Sequence, residues 1–152
     1  MAGIVCAIRG GPYSRPTIEK SISLSIEKGQ KIFFLYIVNL EFLSNALHAN
    51  IQIMEEELRE MGEFILLLAT ESAKAKNVTA EGVIRKGKVI EEIVAQCKEV
   101  DADYILLGKP QMGQSGNVLN IGTMDAFADR IEEASGAKVV YVEGNDAEES
   151  KK

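Results

Sequence analysis

The length and composition of the chain indicate one globular domain. Its 152 residues are 46% hydrophobic and 26% charged, proportions typical of a single fold of ordinary size. The formal net charge of -6 opposes binding to DNA or RNA, because both are polyanions. No apolar run approaches the roughly 18 residues that a membrane span needs, and the N-terminus lacks the charged lead and cleavage site of a secretory signal. We therefore expect a soluble cytoplasmic protein that binds neither nucleic acid nor membranes.

The first part of the chain predicts two buried strands joined by a helix. Strand one covers residues 3–8, and strand two covers residues 32–38, which are apolar without alternation, as in a strand covered by helices on both faces. Between them a helix begins at Ser14 and ends at Gly29. Its apolar residues recur at every fourth position: Ile18, Ile22 and Ile26. The following loop, residues 39–50, is long enough for a binding loop, although a plain surface excursion explains it as well.

The second predicted helix carries more apolar residues than one face needs. Spacings of three and four define its predicted core stripe: Ile51, Met54, Leu58, Met61, Ile65 and Leu68. Three further apolar residues, Phe64, Leu66 and Leu67, widen that stripe. A core stripe is the favoured interpretation, and the surplus leaves room for a partner surface.

The rest of the chain continues the alternation of strand and helix, which indicates an α/β fold. Strand three, residues 78–84, alternates in polarity and is predicted at an edge of the sheet. A third helix starts near Gly87, strand four covers residues 104–107, a fourth helix runs from about Thr123 to Ala134, and strand five covers residues 138–142. The core face of the third helix is predicted at Ile90, Ile93, Val94 and Cys97. Residues 1–143 form the predicted domain, and residues 144–152 a polar tail predicted to be disordered.

Several kinds of catalytic and metal site are not supported by the sequence. Cys6 and Cys97 fall in apolar contexts that predict buried thiols rather than a disulfide or metal pair. His48 is the one histidine, so it cannot anchor a zinc site, and a solvated loop position explains it. The acidic groups at 55–57 and 91–92 lie on polar helix faces, where solvated charge is the ordinary explanation. Neither a Walker motif nor a Gly-x-Gly-x-x-Gly fingerprint is present.

The segment from Gly108 to Thr123 is the best candidate for a ligand site. Its glycines, at positions 108, 113, 116 and 122, precede a predicted helix start. Glycine allows the backbone to approach a phosphate closely, and the helix N-terminus adds a positive dipole end. In the alternative interpretation the glycines only form turns and Thr123 only caps the helix. Asp125 favours that alternative, because a carboxylate in the first turn already interacts with the dipole.

Three segments follow the motif order of a known family. Residues 8–15, Ile-Arg-Gly-Gly-Pro-Tyr-Ser-Arg, resemble its Val-Asp-Gly-Ser-x-x-Ser-x opening, and residues 35–38, Leu-Tyr-Ile-Val, resemble the Leu-His-Val-Val end of its strand two. Residues 107–123 resemble its nucleotide motif, Gly-x2-Gly-x9-Gly followed by Ser or Thr. From strand one to strand five, the chain resembles the universal stress protein family.

That resemblance implies a single three-layer α/β domain, in which four helices cover a doubly wound parallel sheet of five strands in the order 3-2-1-4-5. It implies binding of ATP or AMP, with Mg²⁺ accompanying ATP, and no catalytic residue. By resemblance, the nucleotide-binding residues are Ile8, Arg9, Gly10, Ile37, Val38, Leu107, Gly108, Lys109, Gly113, Gly116, Gly122, Thr123 and Met124. It also implies a homodimer through strand five. The sequence supports that pairing independently, because the apolar run Val139, Val140, Tyr141 and Val142 has no proline or charge to protect an edge.

The chain departs from the family pattern at the proposed site. Arg9 stands where the family usually has Asp, and an arginine there could meet phosphate. Gln111 replaces the second motif glycine in a segment one residue longer, so that Gly113 is the candidate replacement, and Lys109-Pro110 replaces the usual small or basic pair.

Two function classes therefore stay open. The favoured one is a nucleotide-binding stress-response or signalling protein, and the other is a dimeric interaction or regulatory protein of the same fold without nucleotide. An enzyme is not expected, although slow incidental ATP hydrolysis stays open. The acidic residues near the glycine segment, Asp125 and Asp129, are explained by the helix on which they lie.

Overall fold

The computed structural model describes residues 3–9, 14–40, 51–108 and 121–142. Within these ranges strands and helices alternate along the chain. The strands are β1 (Gly3–Ala7), β2 (Lys31–Val38), β3 (Ala80–Lys86), β4 (Ala102–Gly108) and β5 (Lys138–Val142). The helices are α1 (Ser14–Lys28), α2 (Ile51–Ala75), α3 (Val89–Val100) and α4 (Ile121–Ser135).

The described strands form one parallel sheet in the order β3-β2-β1-β4-β5, which confirms the predicted fold class. The chain builds outwards from β1 to β3, and then returns to the other side of β1 to add β4 and β5. The strand order therefore reverses between β1 and β4. In open α/β sheets such a reversal leaves a crevice outside the carboxyl ends of the two strands, which is where ligands bind.

The core has two apolar layers, one on each face of the sheet. Alternation along β1 sends Ile4 and Cys6 into the layer covered by α1 and α2, and Val5 into the layer covered by α3 and α4. Each layer contains one buried free cysteine, Cys6 or Cys97, as the sequence predicted. Burial on both faces explains why the central strands are continuously apolar rather than alternating.

The observed bounds agree with the predicted ones for most elements. Helix α1 begins at Ser14, and Gly29, with a φ of 67°, ends it in the left-handed conformation that glycine adopts without strain. β5 has the predicted bounds. β3 lies at an edge as predicted, but it begins at Ala80 rather than at residue 78. β4 begins at Ala102, two residues before the predicted start.

The predicted core face of α1 is only partly right. Ile22 is buried and Ile18 packs beside the core, but Ile26 is 61% exposed. The inward positions are instead small hydroxyl residues: Thr17, Ser21 and Ser25. Two of these satisfy their hydroxyls locally, since Ser21 donates to the Ile18 carbonyl at 2.6 Å and Ser25 donates to the Gln30 carbonyl. Local hydrogen bonds of this kind let small polar side chains replace apolar ones under a helix.

The predicted core stripe of α2 is only partly right. Leu58 and Ile65 pack beside the core, but Met54, Met61 and Leu68 are exposed. The buried residues of the helix are Gly62, Leu66, Ala69 and Ala73. A Cβ at position 62 would lie 2.4 Å from Cδ2 of Tyr36, so the glycine is required by the close approach of α2 to β2. Small residues turn inward because the helix backbone lies almost against the sheet.

Candidate functional site

A cavity of about 600 Å³ opens at the carboxyl ends of β1, β2 and β4. Sheet register brings these ends together, because Ala7 is level with Leu35 on one side and with Leu107 on the other. The cavity thus occupies the crevice where the strand order reverses. Its volume falls within the range of roughly 300–1,000 Å³ that is usual for small-molecule sites.

The walls of the cavity come from all three layers of the fold and are mainly apolar. Residues outside the three strand ends complete them: Leu58 from α2, Val89 and Ile93 from α3, Phe127 from α4 and Tyr141 from β5. Aliphatic and aromatic side chains together form walls that suit an aromatic ring system.

Polar groups interrupt the apolar lining at a few points. Three of the lining residues, Tyr36, Asn39 and Tyr141, have side chains with hydrogen-bonding groups. Burial raises the pKa of both tyrosines, and the nearby carboxylate of Asp125 adds a smaller upward contribution to the pKa of Tyr141. Both phenols are therefore neutral at physiological pH and can donate as well as accept a hydrogen bond.

Arg9 is the charged residue among the described residues that line this cavity. It lies two residues after the end of β1, and it is exposed to solvent. A guanidinium in this position provides paired N–H donors for an anionic group, while the apolar part of a ligand occupies the cavity.

The structure brings five of the predicted site residues to the cavity: Ile8, Arg9, Ile37, Leu107 and Gly108. Val38 does not line it but is buried in the α1–α2 layer, and its carbonyl accepts a hydrogen bond from the Gly87 N–H at 3.1 Å. Four predicted residues lie outside the described ranges: Gly10, Lys109, Gly113 and Gly116.

The last three predicted residues, Gly122, Thr123 and Met124, lie in the first turn of α4. The helix begins at Ile121 rather than near Thr123, so the alternative interpretation of Thr123 as its cap does not hold, and Asp125 lies beyond the first turn. The first turn of a helix has free N–H groups and a positive dipole end, and no acidic residue occupies this one. Asp125 and Asp129 are both exposed further along α4.

Several cavity residues were not predicted as site residues: Tyr36, Asn39, Leu58, Val89, Ile93, Phe127 and Tyr141. Ile93 was interpreted only as core, and Tyr141 only as part of a dimer edge. A signal existed for Tyr141, because the strand order 3-2-1-4-5 places β5 beside β4 and their register sets Tyr141 level with Leu107. The helix residues could not be found this way, since their position depends on helix rotation.

Other candidate chemistry is sparse in the described part of the chain. Within it, no group of three or more His, Cys, Asp or Glu side chains could hold a metal ion, and His48 lies outside it. The acidic groups on α2 and α3 include ion-paired members, with Glu55 at 2.9 Å from Lys86 and Glu92 at 3.2 Å from Arg85. None of the helices in the described ranges is long and apolar enough to cross a membrane.

Comparison with known families agrees with this architecture. The model of the universal stress protein family matches residues 2–123, which is most of the chain. The chain belongs to the universal stress protein family. A search of curated proteins found no match to the sequence.

Solved structures of universal stress proteins share the fold at low sequence identity. UspA from Lactobacillus plantarum aligns with a TM-score of 0.73 and 12% identity, over 93% of this chain and 97% of that one. A family member from Arabidopsis thaliana with AMP bound aligns with a TM-score of 0.61 and 19% identity, over 99% and 96%. The Archaeoglobus fulgidus protein in complex with dAMP aligns with a TM-score of 0.60 and 14% identity, over 93% and 98%. At these identities the likeness establishes the fold.

Proposed function

We propose that this universal stress protein binds an adenine nucleotide, AMP or ATP, in the strand-end cavity and acts in stress response or signalling rather than as an enzyme. The observation that carries the proposal is the combination of apolar walls with the exposed guanidinium of Arg9 at one cavity. An adenine ring matches the walls, and a phosphate matches the guanidinium. Solved structures of the family with AMP and dAMP support the choice of ligand class.

The proposed pose places the base between the ends of β2 and β4, near Ile37 and Leu107. Gly108, Gly122 and Thr123 are then the candidates for contact with ribose and phosphate, because the first turn of α4 offers free N–H groups. Arg9 replaces a family carboxylate with a cation, so we expect it to favour ligands with more phosphate charge. Mg²⁺ would accompany ATP and be held chiefly by the phosphates.

Arg9→Gln tests this pose. Removal of the charge should weaken AMP binding about fivefold to tenfold. This is less than a buried charge-assisted hydrogen bond would contribute, because solvent screens a charge at an exposed position. Binding of adenosine, which has no phosphate, should change little. Isothermal titration calorimetry with both ligands measures the difference. An equal loss of affinity for AMP and adenosine would place the phosphate away from Arg9.

The binding itself is tested by the nucleotide content of the purified protein, read from the absorbance ratio and mass spectrometry, and by calorimetric titration with ATP and Mg²⁺. Gly122→Val is the control variant, because a side chain there should block the phosphate and leave the helix intact. We expect binding by the wild type and a large loss in the variant. Absence of binding up to millimolar ATP would contradict the proposed function.

We further propose that β5 pairs with its copy in a homodimer. Among the described strands β5 pairs only with β4, so one side of its backbone faces outward. Its last four residues are apolar and half-buried, and an unprotected edge of this kind favours pairing. Val140→Lys should raise the dimer dissociation constant, measured by analytical ultracentrifugation with circular dichroism as a check of folding. A native mass of one chain at micromolar concentration for the wild type would contradict this pairing.

The alternative is a dimeric interaction protein of the same fold that binds no nucleotide. One observation favours it, namely the exposed apolar residues of α2, which no described part of the chain covers. Failure of every adenine ligand together with an intact oligomer would support this alternative.

A further inference from the structure

The end of β5 lies beside the strand-end cavity. Tyr141 lines this cavity, and Val142, the last residue of β5, is level with Gly108, which lines it too. Because the described strands are all parallel, β5 ends at the same edge of the sheet as β1, β2 and β4. Residues 143–152, which we call the tail, lie outside the described ranges, and the chain enters them from this edge.

The sequence of the tail is acidic where it follows β5. Residues 143–149, Glu-Gly-Asn-Asp-Ala-Glu-Glu, contain four carboxylates and no basic residue, and Lys151 and Lys152 come only after them. The same seven residues contain no large apolar side chain. Charge is therefore the chemistry through which this part of the tail can interact with the domain.

Arg9 is a cation without an ion pair at the cavity. It lines the cavity and is exposed, and it forms no salt bridge with another described residue. Three other arginines in the described ranges each pair with a glutamate: Arg15, Arg59 and Arg85. A guanidinium that has no carboxylate partner attracts an acidic segment that starts nearby.

The tail is long enough to reach Arg9. In the sheet only β4 separates β5 from β1, so the two strand ends are about 10 Å apart. An extended chain spans up to about 3.3 Å per residue, so Glu148, six residues after Val142, can lie up to about 20 Å from the end of β5. The carboxylate of Asp125 near Tyr141 repels the tail on the α4 side.

We propose that the carboxylates of residues 143–149 contact Arg9 and compete there with the phosphate of a bound nucleotide, so that the tail lowers the affinity of the site. The competition rests on the proposed function, whereas the contact between the tail and Arg9 does not. Tethering gives the tail an effective concentration in the millimolar range. Even a weak, exposed ion pair then occupies Arg9 for part of the time.

Calorimetric titration with AMP tests the competition in the full-length chain. The tail-neutral variant combines Glu143→Gln, Asp146→Asn, Glu148→Gln and Glu149→Gln. We expect it to bind AMP about threefold more tightly than the wild type, as for the loss of an exposed ion pair. In an Arg9→Gln background the two tails should give equal affinity. At about 0.5 M salt the difference should also disappear, because the Debye length is then only about 4 Å.

The matched control removes the same number of charges far from the cavity. It neutralises exposed carboxylates near the carboxyl ends of the four helices: Glu27→Gln, Glu71→Gln, Asp101→Asn and Glu133→Gln. We expect its affinity for AMP to stay close to that of the wild type. Equal tightening in the control and the tail-neutral variant, or no tightening in either, would overturn the competition.

The contact itself is tested without nucleotide by a nitroxide label on Ser150→Cys. The native thiols stay unlabelled, since Cys6 and Cys97 are buried and burial raises the pKa of each to about 12. We expect the label to broaden the Arg9 amide signal more strongly with the native tail than with the tail-neutral one. Equal broadening would overturn the proposal. Absence of AMP binding in every variant would contradict the proposed function, and the broadening would then decide the tail contact by itself.

Discussion

Helices α2 and α3 cover opposite faces of one sheet, but they follow different rules. In α3 the residues with helical apolar spacing turn inward, with Ile93 and Cys97 buried and Ile90 and Val94 packed beside them. In α2 the residues with the same spacing are divided: Leu58 and Ile65 pack beside the core, Met54, Met61 and Leu68 are exposed, and mainly small residues turn inward. A helix with a single apolar face turns that face to the sheet. A helix with apolar residues on two faces turns towards the sheet the face whose small side chains allow the closer approach.

Close packing against Tyr36 is the physical reason for the rotation of α2. Gly62 allows the helix backbone to approach the ring, and any other residue would put a Cβ 2.4 Å from it. On the partner strand Gly82 has the same function, since a Cβ there would lie 3.0 Å from Cβ of Leu66. Close approach gains dispersion contacts along the whole interface, which offsets the exposure of larger apolar residues.

The largest expected difference between the two helices is in the cost of truncating a large apolar side chain. Ile93→Ala should lower the free energy of unfolding by about 3 kcal/mol, because it leaves a buried cavity. Phe64→Ala should change it by less than about 0.5 kcal/mol, as at other exposed positions. Urea unfolding at low protein concentration, where association does not contribute, measures both. Similar losses in the two variants would contradict the assigned rotation of α2.

Gly62→Ala tests the role of size directly. Helix propensity alone predicts a gain of about 1 kcal/mol, but the clash with Tyr36 should produce a net loss of about 2 kcal/mol. Glu63→Ala, at the neighbouring exposed position, is the matched control and should be close to neutral. A more stable Gly62→Ala protein would show that α2 does not need the close approach.

The pH dependence of unfolding compares how well the two layers exclude water. Burial raises the pKa of Cys6 and of Cys97 from 9.0 to about 12, with partly opposing hydrogen bonds to Ser21 and Ser135. In the unfolded chain both thiols ionise first, so their contribution to stability is intact below pH 9 and is lost as the pH rises towards 12. The expected slope is about 1.4 kcal/mol per pH unit for each thiol.

Cys97→Ala and Cys6→Ala separate the two contributions. Each variant should flatten the alkaline slope by a similar amount, measured by urea unfolding between pH 9 and pH 11. If only Cys97→Ala flattened it, water would reach the α1–α2 layer, and the close packing of α2 would be in doubt.

The sequence predicted the elements and the fold class well, because continuous apolar strands and glycine helix ends are local signals. Gly29 is an example, since its position alone predicted the end of α1. Helix rotation was harder to predict. Ile26 and Met61 have core-like spacing, yet both are exposed because smaller residues on the same helices make the closer contact. Hydrophobic spacing contains no information about how near a helix lies to the sheet.

The site could be predicted only where it depends on strand order. Ile8, Ile37 and Gly108 follow from the carboxyl ends of neighbouring strands, and all three line the cavity. Val38 is at the same strand end but does not line the cavity, since it is buried in the α1–α2 layer. Phe127 and Leu58 depend on helix packing, for which the sequence offered no signal.

The most direct test of the proposed function is titration of the ¹⁵N-labelled protein with AMP, followed by two-dimensional NMR. We predict that shifts concentrate at the amides of Ile8, Arg9, Ile37 and Gly108, while those of Phe64 and Leu67 on the outer face of α2 stay in place. The absence of shifts at millimolar AMP, or shifts confined to α2, would contradict the assignment of the strand-end cavity as an adenine nucleotide site.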